Sequence, residues 1–154
     1  MSVFLDTSAF FALLNMDDRN HGRARAVWER LLSNGEDLRT SSYVVLETAA
    51  TAQRRLGLGA ARDFLLEMLP LVVVDWVTPE LHDPAVASLL VAGRRDLSLV
   101  DCVSFELMRQ KGTARAFTFD AHFGEQGFEC LPSSPTQSAA DSQAEREDRA
   151  SSAQ

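Results

Sequence analysis

The sequence predicts an α/β fold, a three-layer α/β/α sandwich built on a short central parallel sheet. Short apolar runs rich in β-branched and aromatic residues alternate with longer stretches of helical periodicity. Proline and glycine stand where such helices should begin and end. Strands that alternate with helices favour a parallel sheet covered on both faces. The predicted strands cover residues 3–5, 38–41, 71–74 and 116–119.

Helical patterns fill most of the sequence between these strands. Thr78 and Pro79 form a cap residue followed by proline at the first helical position, which is a common helix start. Gly57, Gly93 and Gly112 each follow the last periodic residue of a pattern, where glycine often ends a helix. The predicted helices cover residues 21–33, 42–56, 60–69, 79–93 and 100–111.

The length of 154 residues fits one compact domain better than two small ones. We expect this domain to cover residues 1–132. Residues 133–154 contain no Leu, Ile, Val, Phe, Tyr or Trp, so they offer little apolar surface to bury. We therefore expect a disordered polar tail after the domain.

Charge and composition exclude several classes of protein. With 22 acidic and 15 basic residues the net charge is −7, which argues against binding nucleic acid by phosphate neutralisation alone. No apolar run approaches the roughly 20 residues that cross a bilayer, and the start MSVFLDTSAF lacks a basic region before its apolar stretch. We expect no membrane span and a cytoplasmic location. The two cysteines lie far from the histidines, so a Cys/His zinc site is not expected.

Four carboxylates stand alone in apolar stretches of the sequence, where an unpaired charge would be costly to bury. They are Asp6, Glu47, Asp101 and Asp120. Asp75 is equally isolated, so isolation alone selects too many residues. Asp6, Asp75 and Asp120 all follow predicted strands, where open α/β sheets bind their ligands. Only Asp6 and Asp120 have nearby hydroxyl residues that could orient a carboxylate. These hydroxyl residues are Thr7, Ser8 and Thr118.

Each of the four acids also has a purely structural interpretation. Asp6 could cap a short helix that follows it, and Asp120 could open a turn. Ser98 and Asp101 have the spacing of a capping box, a role that a functional site does not exclude. Glu47 could be a solvated helix residue, although apolar residues surround it at helical spacing.

Four segments, in this order, resemble the PIN-domain family, and within it the toxin nucleases of VapBC-type toxin–antitoxin pairs. They are FLDTSAFFAL, SSYVVLETA, RRDLSLVDCVSFELM and FTFDAHFGEQGFE, and the resemblance covers residues 3 to about 131. It implies a PIN-like fold and places the four acids of the family at Asp6, Glu47, Asp101 and Asp120. It also implies that Thr7, Ser8 and Thr118 lie beside them, and it offers no counterpart of Asp75.

The resemblance implies a metal-dependent endoribonuclease that uses one or two divalent ions. Carboxylates about 4 Å apart repel each other by roughly 1 kcal/mol in water and more in a protein, so a cluster of them requires a cation. Oxygen ligands suit Mg²⁺ or Mn²⁺. We expect Asp6 and Asp101 to be the principal ligands, and Glu47 and Asp120 to bind through water or to orient it. The expected reaction is phosphodiester hydrolysis by a water that the ion makes more acidic.

The expected partners are the RNA substrate, a protein antitoxin and a second copy of the chain, the last two on resemblance alone. The candidate phosphate contacts for the RNA are Arg94, Arg95 and Arg109, although the pattern favours an ordinary solvated helix residue for each of them. The main alternative is a non-catalytic PIN-like module that binds RNA or protein. A phosphatase with an aspartyl nucleophile is disfavoured because it should carry a second Asp at the position of Ser8.

Overall fold

The computed structural model describes residues 1–133, in which five strands form one parallel sheet. The order of the strands across the sheet is β3-β2-β1-β4-β5, and every neighbouring pair is parallel. The strands are β1 (Ser2–Leu5), β2 (Asp37–Ser41), β3 (Val73–Asp75), β4 (Arg115–Phe117) and β5 (Glu129–Leu131). Helices flank this sheet, so the predicted α/β class is confirmed. The tail predicted for residues 133–154 lies, except for its first residue, outside the described part of the chain.

The five predicted helical ranges all contain helices with similar bounds, and two short helices, after Asp6 and Asp120, lie outside them, so that residues 1–133 contain seven α-helices. These seven helices are α1 (Thr7–Leu14), α2 (His21–Ser33), α3 (Ser42–Leu56), α4 (Leu58–Asp63), α5 (Pro79–Ala92), α6 (Leu99–Lys111) and α7 (Ala121–Glu125). The Ser41 hydroxyl caps α3 by accepting a hydrogen bond from the Val44 amide at 3.1 Å. Gly93 and Gly112 end α5 and α6 with φ of 59° and 65°, a left-handed conformation that favours glycine.

The hydrophobic core lies on both faces of the central strand β1. Val3, Phe4 and Leu5 point alternately to opposite faces, and all three are buried. Burial of successive residues is what a sheet covered by helices on both sides requires. Phe10 of the first helix and Phe64, which follows the fourth helix, pack edge to face, with their ring centroids 4.9 Å apart. Each such buried side chain contributes roughly 1.5–3 kcal/mol to stability.

The connectivity of the sheet reverses between β1 and β4. From β1 the chain proceeds to β2 and β3 on one side, and then crosses to β4 and β5 on the other. Ligands of open α/β sheets bind at such a switch point, beyond the carboxyl ends of the strands. The Asp6 amide donates to the Phe117 carbonyl at 3.1 Å, so the ends of β1 and β4 are adjacent. This edge of the sheet carries the site described below.

Three strands differ from the prediction by more than one residue, and one of them is β4, which was expected over residues 116–119 but ends at Phe117. The strand expected as fully buried over residues 71–74 is β3, which starts at Val73 and forms an edge of the sheet. Leu71 lies before the strand, in a 3₁₀ turn, and its side chain is exposed. The strand β5 was not predicted, since three residues that include an exposed Glu129 carry too little periodicity.

The helix predicted over residues 60–69 begins two residues earlier, as α4, and then widens into a π-helical turn at Phe64–Met68. The widened turn carries the buried Phe64 into the core. Across residues 1–133, none of the helices has the length and apolar character needed to cross a membrane.

Candidate active site

Four separate segments of the chain bring acidic side chains to one cleft of about 370 Å³ at the switch point of the sheet. Asp6 follows β1, and Glu47 projects from α3. Asp101 lies in the first turn of α6, and Asp120 caps α7. The structure therefore places all four acids singled out from the sequence around the same space. Asp75 ends the edge strand β3 and does not line the cleft, and Arg39 binds both oxygens of its carboxylate, at 2.7 and 3.0 Å.

Asp6 is held at the floor of the cleft by hydroxyl groups. Its Oδ2 accepts hydrogen bonds from Ser8 Oγ at 2.7 Å and from Thr118 Oγ1 at 3.0 Å. Those two oxygens in turn accept from the backbone amides of Phe119 and Asp120, at 2.9 and 3.0 Å. Within residues 1–133, Oδ1 of Asp6 accepts no hydrogen bond. One oxygen is thus fixed by the protein, and the other remains free for a ligand.

The pKa of Asp6 is raised to about 6. Burial is the main cause, because the side chain is 3% exposed and a carboxylate loses its hydration there. The hydrogen bonds from Ser8 and Thr118 oppose this shift, and the nearby charge of Asp101 adds to it. A cation in the cleft would offset both causes, because it stabilises the charged form of each carboxylate.

Replacing Ser8 by Ala is expected to raise the pKa of Asp6 further in the metal-free protein. The substitution removes the shortest hydrogen bond to the carboxylate, and such a bond to a charged group contributes about 1.5–3 kcal/mol, or about one pKa unit or more. Titration of the carboxyl carbon signal by NMR measures this pKa. Ser104→Ala is the matched control, because the Ser104 hydroxyl donates to the Val100 carbonyl instead. An unchanged or lower pKa in Ser8→Ala would contradict the assigned role.

Asp101 belongs to a capping box at the start of α6. Its Oδ2 accepts from the Ser98 amide at 3.0 Å, while the Ser98 hydroxyl accepts from the Asp101 amide at 3.1 Å. The side chain is 9% exposed, and burial raises its pKa, with the neighbouring charge of Asp120 acting in the same direction. The capping box expected from the sequence is present, and the same carboxylate also lines the cleft.

His122 lies against Asp120 at the edge of the acid cluster. The Nδ1 of His122 is 2.8 Å from Oδ1 of Asp120 but is poorly aligned for a hydrogen bond, and this buried nitrogen has no hydrogen-bond partner within residues 1–133. On the other side of the ring, Nε2 is 3.0 Å from Asp96, which also binds Arg94 at 3.0 Å. Contact with Arg94 and His122 lowers the pKa of Asp96 to about 2, and Asp96 in turn raises the pKa of His122.

The donor set fits a divalent cation. Ligand atoms of Asp101, Asp120 and His122 lie within 4.8 Å of one another, and Oδ1 of Asp6 is free at the floor of the same cleft. The unpartnered Nδ1 of His122 is a buried polar atom that a metal ligand bond would satisfy. Carboxylates concentrated in this way repel one another until a cation binds. The acid cluster can therefore hold a divalent ion.

Glu47 occupies the wall of the cleft on α3. It is half-buried, and no hydrogen bond to its carboxylate occurs within the described residues. Other residues line the cleft that the sequence analysis did not identify. Some are surrounded by charged residues in the sequence, and for others only the structure shows which side of the helix faces the cleft. These groups are Phe11, Asp18, Asn20, Thr51, Arg55 and Phe119.

The three arginines predicted as phosphate contacts lie elsewhere. Arg94 is bound by Asp96 and Glu125, and Arg109 donates to Gln126 at 2.6 Å. Neither residue lines the cleft, and Arg95 does not line it either. Their contact with phosphate stays a prediction. The arginine that the structure brings to the cleft is Arg55.

The chain resembles a protein family and known proteins in both sequence and structure. The family model for the PIN domain matches residues 3–129. The 23S rRNA-specific endonuclease VapC20 of Mycobacterium tuberculosis is 38% identical over 127 residues, which cover 82% of this chain and 95% of that protein. The crystal structure of VapC20, described as a sarcin–ricin loop cleaving toxin, matches with a TM-score of 0.72 and 36% identity, over 82% of this chain and 95% of that one.

More distant structures share the fold. VapBC2 from Rickettsia felis, solved with a DNA fragment from its promoter, matches with a TM-score of 0.64 at 14% identity, over 84% of this chain and 97% of that one. The match of the family model spans both ends of the sheet and all four acids of the cleft. Together with the identity to VapC20, this match shows that the chain belongs to the PIN-domain family.

Proposed function

We propose that this protein is a divalent-metal-dependent endoribonuclease and the toxin of a toxin–antitoxin pair. The observation that carries the proposal is the meeting of Asp6, Glu47, Asp101 and Asp120 in one cleft. Similarity to VapC20, named a 23S rRNA-specific endonuclease, supports RNA as the substrate class. The description of VapC20 as a toxin supports the biological role. An RNA substrate is consistent with a cytoplasmic location.

In the proposed site, Asp6 and Asp101 are the principal ligands of the ion. Each carboxylate uses one oxygen to bind the protein and has its second oxygen available. Asp120 completes the ligand set, and His122 is placed to join it. When bound, the ion would polarise the scissile phosphate and lower the pKa of a coordinated water. It would also offset the net charge of −7, which otherwise repels RNA.

The residues of the chain supply orientation and proton handling. Ser8 and Thr118 hold Asp6 in one rotamer, so that its free oxygen points to the same place in every turnover. Glu47 has an uncommitted carboxylate on the cleft wall, and we assign it the task of orienting the attacking water and accepting its proton. Thr7 lines the same cleft beside Asp6, and its Oγ1 is buried without a partner within residues 1–133.

The proposed ion is Mg²⁺ or Mn²⁺. Three carboxylates provide hard oxygen ligands, which both ions accept. A contribution from the His122 nitrogen would disfavour Mg²⁺, which prefers oxygen in a strict octahedral arrangement. Comparing the two ions in wild type and in His122→Ala therefore tests whether the imidazole is a ligand. A preference for Mn²⁺ that disappears in His122→Ala would assign it as one.

Removal of divalent ions is expected to stop RNA cleavage completely. The test incubates purified protein with bacterial total RNA in Mg²⁺, in Mn²⁺ and in EDTA, and it maps new RNA ends by sequencing. Calorimetry of the same protein with each ion reports binding independently of cleavage. Cleavage that persists in EDTA would contradict the proposal. Absence of both ion uptake and cleavage at millimolar ion would favour the alternative of a non-catalytic binding module.

The partner and the assembly are also proposals. As the toxin of such a pair, the chain should bind a protein antitoxin and form a homodimer. Its expression alone should then arrest the growth of a bacterial host, and co-expression with the antitoxin should restore growth. Light scattering of the purified chain measures the oligomeric state. A monomer at micromolar concentration would refute the dimer without affecting the nuclease assignment.

A further inference from the structure

Two phenylalanines line the acidic cleft, and each contacts the guanidinium of an arginine. Arg55 lies over the ring of Phe11, with its Cζ 4.6 Å from the ring centroid. Arg23 lies over the ring of Phe119 at 5.9 Å. Both distances are within the range of cation–π contacts, which hold a guanidinium flat against the ring. Arg55 thus lines the cleft itself, and Arg23 lies at its border, on a ring that lines it; both side chains are exposed to solvent.

Helix α3 presents Arg55 to the cleft together with two other polar residues. Glu47, Thr51 and Arg55 are spaced by four residues, so they lie on one face of the helix, and all three line the cleft. At 1.5 Å per residue, Arg55 is about 12 Å along the helix from Glu47. Arg55 therefore lines the cleft about two helical turns away from Glu47.

Neither Arg55 nor Arg23 has a carboxylate within ion-pair distance among residues 1–133. Arg94, in contrast, is bound by two carboxylates. If Arg55 served to neutralise the acids of the cleft, it should pair with one of them. Arg55 could instead serve to stabilise the carboxyl end of α3 by its charge. Arg54 is in the same last turn and would do the same, but it does not line the cleft. Neither neutralising the acids nor stabilising the helix end explains why Arg55 lies over the ring of Phe11.

We propose that Arg55 and Arg23 bind phosphates of the RNA strand that flank the scissile phosphate. The inference rests on the proposed ribonuclease function and adds the residues that hold the substrate. A guanidinium matches a phosphate with two parallel hydrogen bonds, and stacking on a ring reduces the entropy lost when it binds. The scissile phosphate is left to the acid cluster and its ion. Two cations beside the acidic pocket also help to guide a polyanion to a protein of negative net charge.

Binding of RNA to single variants tests this inference. The probe is a short fluorescein-labelled single-stranded RNA of mixed sequence, followed by anisotropy in Ca²⁺ over a range of KCl, with gels to verify that the RNA stays intact. Arg55→Gln and Arg23→Gln are each expected to weaken binding about tenfold or more, because a charge-assisted contact is lost. Each should also reduce the slope of log Kd against log salt by about 0.7, the value for one phosphate of a single strand.

Matched variants separate a specific contact from a general loss of charge. Arg54→Gln removes the neighbouring charge on α3, and Arg25→Gln removes an exposed one on α2. Both are expected to change Kd by less than about twofold. Arg55→Lys keeps the charge without the planar fork, so its Kd should fall between wild type and Arg55→Gln.

The outcomes distinguish the inference from the function on which it rests. If the wild-type protein cleaves RNA but Arg55→Gln and Arg23→Gln bind RNA like their controls, the inference is overturned and the ribonuclease assignment stands. If the wild-type protein neither binds nor cleaves RNA, both are overturned. A tenfold loss of affinity in the two variants together with a smaller salt slope would establish the phosphate contacts.

Discussion

Asp101→Asn is expected to reduce metal-dependent RNA cleavage by roughly a thousandfold or more while the fold stays intact. A divalent ion contributes several kcal/mol to stabilising the transition state, and each 1.36 kcal/mol corresponds to a tenfold change in rate. The fold should survive because the Asn side-chain oxygen can still accept the hydrogen bond from the Ser98 amide. The variant thus removes the charge of the ligand and keeps the cap of α6.

The measurement is the single-turnover rate of RNA cleavage in Mg²⁺ and in Mn²⁺, with the melting temperature as a check on the fold. Asp75→Asn is the matched control, because Asp75 is likewise isolated among apolar residues in the sequence but binds Arg39 instead of lining the cleft. Asp75→Asn should be less stable, because the ion pair with Arg39 is lost, but its rate of RNA cleavage should be unchanged. Undiminished cleavage by Asp101→Asn would refute the assignment of Asp101 as a ligand.

Three of the four acids are both capping residues and candidate ligands. Asp6 caps α1 and Asp120 caps α7, while Asp101 closes the capping box of α6. These helices therefore all begin at the cleft. Capping uses one carboxylate oxygen and fixes the rotamer, which leaves the second oxygen held in place for an ion. Capping and ligand binding are therefore compatible roles for these residues, because each role uses a different oxygen of the same carboxylate.

The sequence could indicate which acids meet in one cleft because isolation among apolar residues, taken together with the resemblance to the PIN-domain family, selects the same four carboxylates. Asp6, Glu47, Asp101 and Asp120 are each surrounded by apolar residues, and a buried carboxylate without a partner is rare. Isolation alone also selects Asp75, whose partner Arg39 lies on a neighbouring strand and is distant in sequence. Only the pairing of β2 with β3 shows that this charge is already neutralised.

Residues that reach the cleft only through tertiary packing could not be identified from their neighbours in the sequence. Arg55 is next to Arg54 in the sequence, and only the phase of α3 against α1 shows which of them reaches the cleft. Asp18 is hidden in a charged run for the same reason. His122 had a weak signal, since it lies two residues after Asp120, but its contact with Asp96 depends on the packing of α7. The short strand β5 is likewise defined by its pairing with β4.

Asp6→Asn is expected to stabilise the metal-free protein at neutral pH by up to roughly 3 kcal/mol. The pKa of Asp6 is about 6 in the folded protein against 3.8 for the unperturbed group, so the folded state binds this proton more tightly than the unfolded state. Stability contributed by such a group is complete at low pH and is lost as the pH rises through about 6. Each pKa unit corresponds to 1.36 kcal/mol. Asn is neutral at every pH, and its oxygen can accept the hydrogen bonds from Ser8 and Thr118.

Urea unfolding in EDTA measures this difference at about pH 7.5 and about pH 4. Asp6→Asn should exceed wild type at the higher pH, and the gap should close at the lower pH, where the wild-type carboxyl is protonated. Asp83→Asn, at an exposed position on α5, should change stability by less than about 0.5 kcal/mol at either pH. Adding Mg²⁺ or Mn²⁺ should then stabilise wild type and leave Asp6→Asn nearly unchanged, because the ion binds the charge that the substitution removes. Equal responses of the two proteins to the ion would mean that the charge of Asp6 is balanced by something other than a metal.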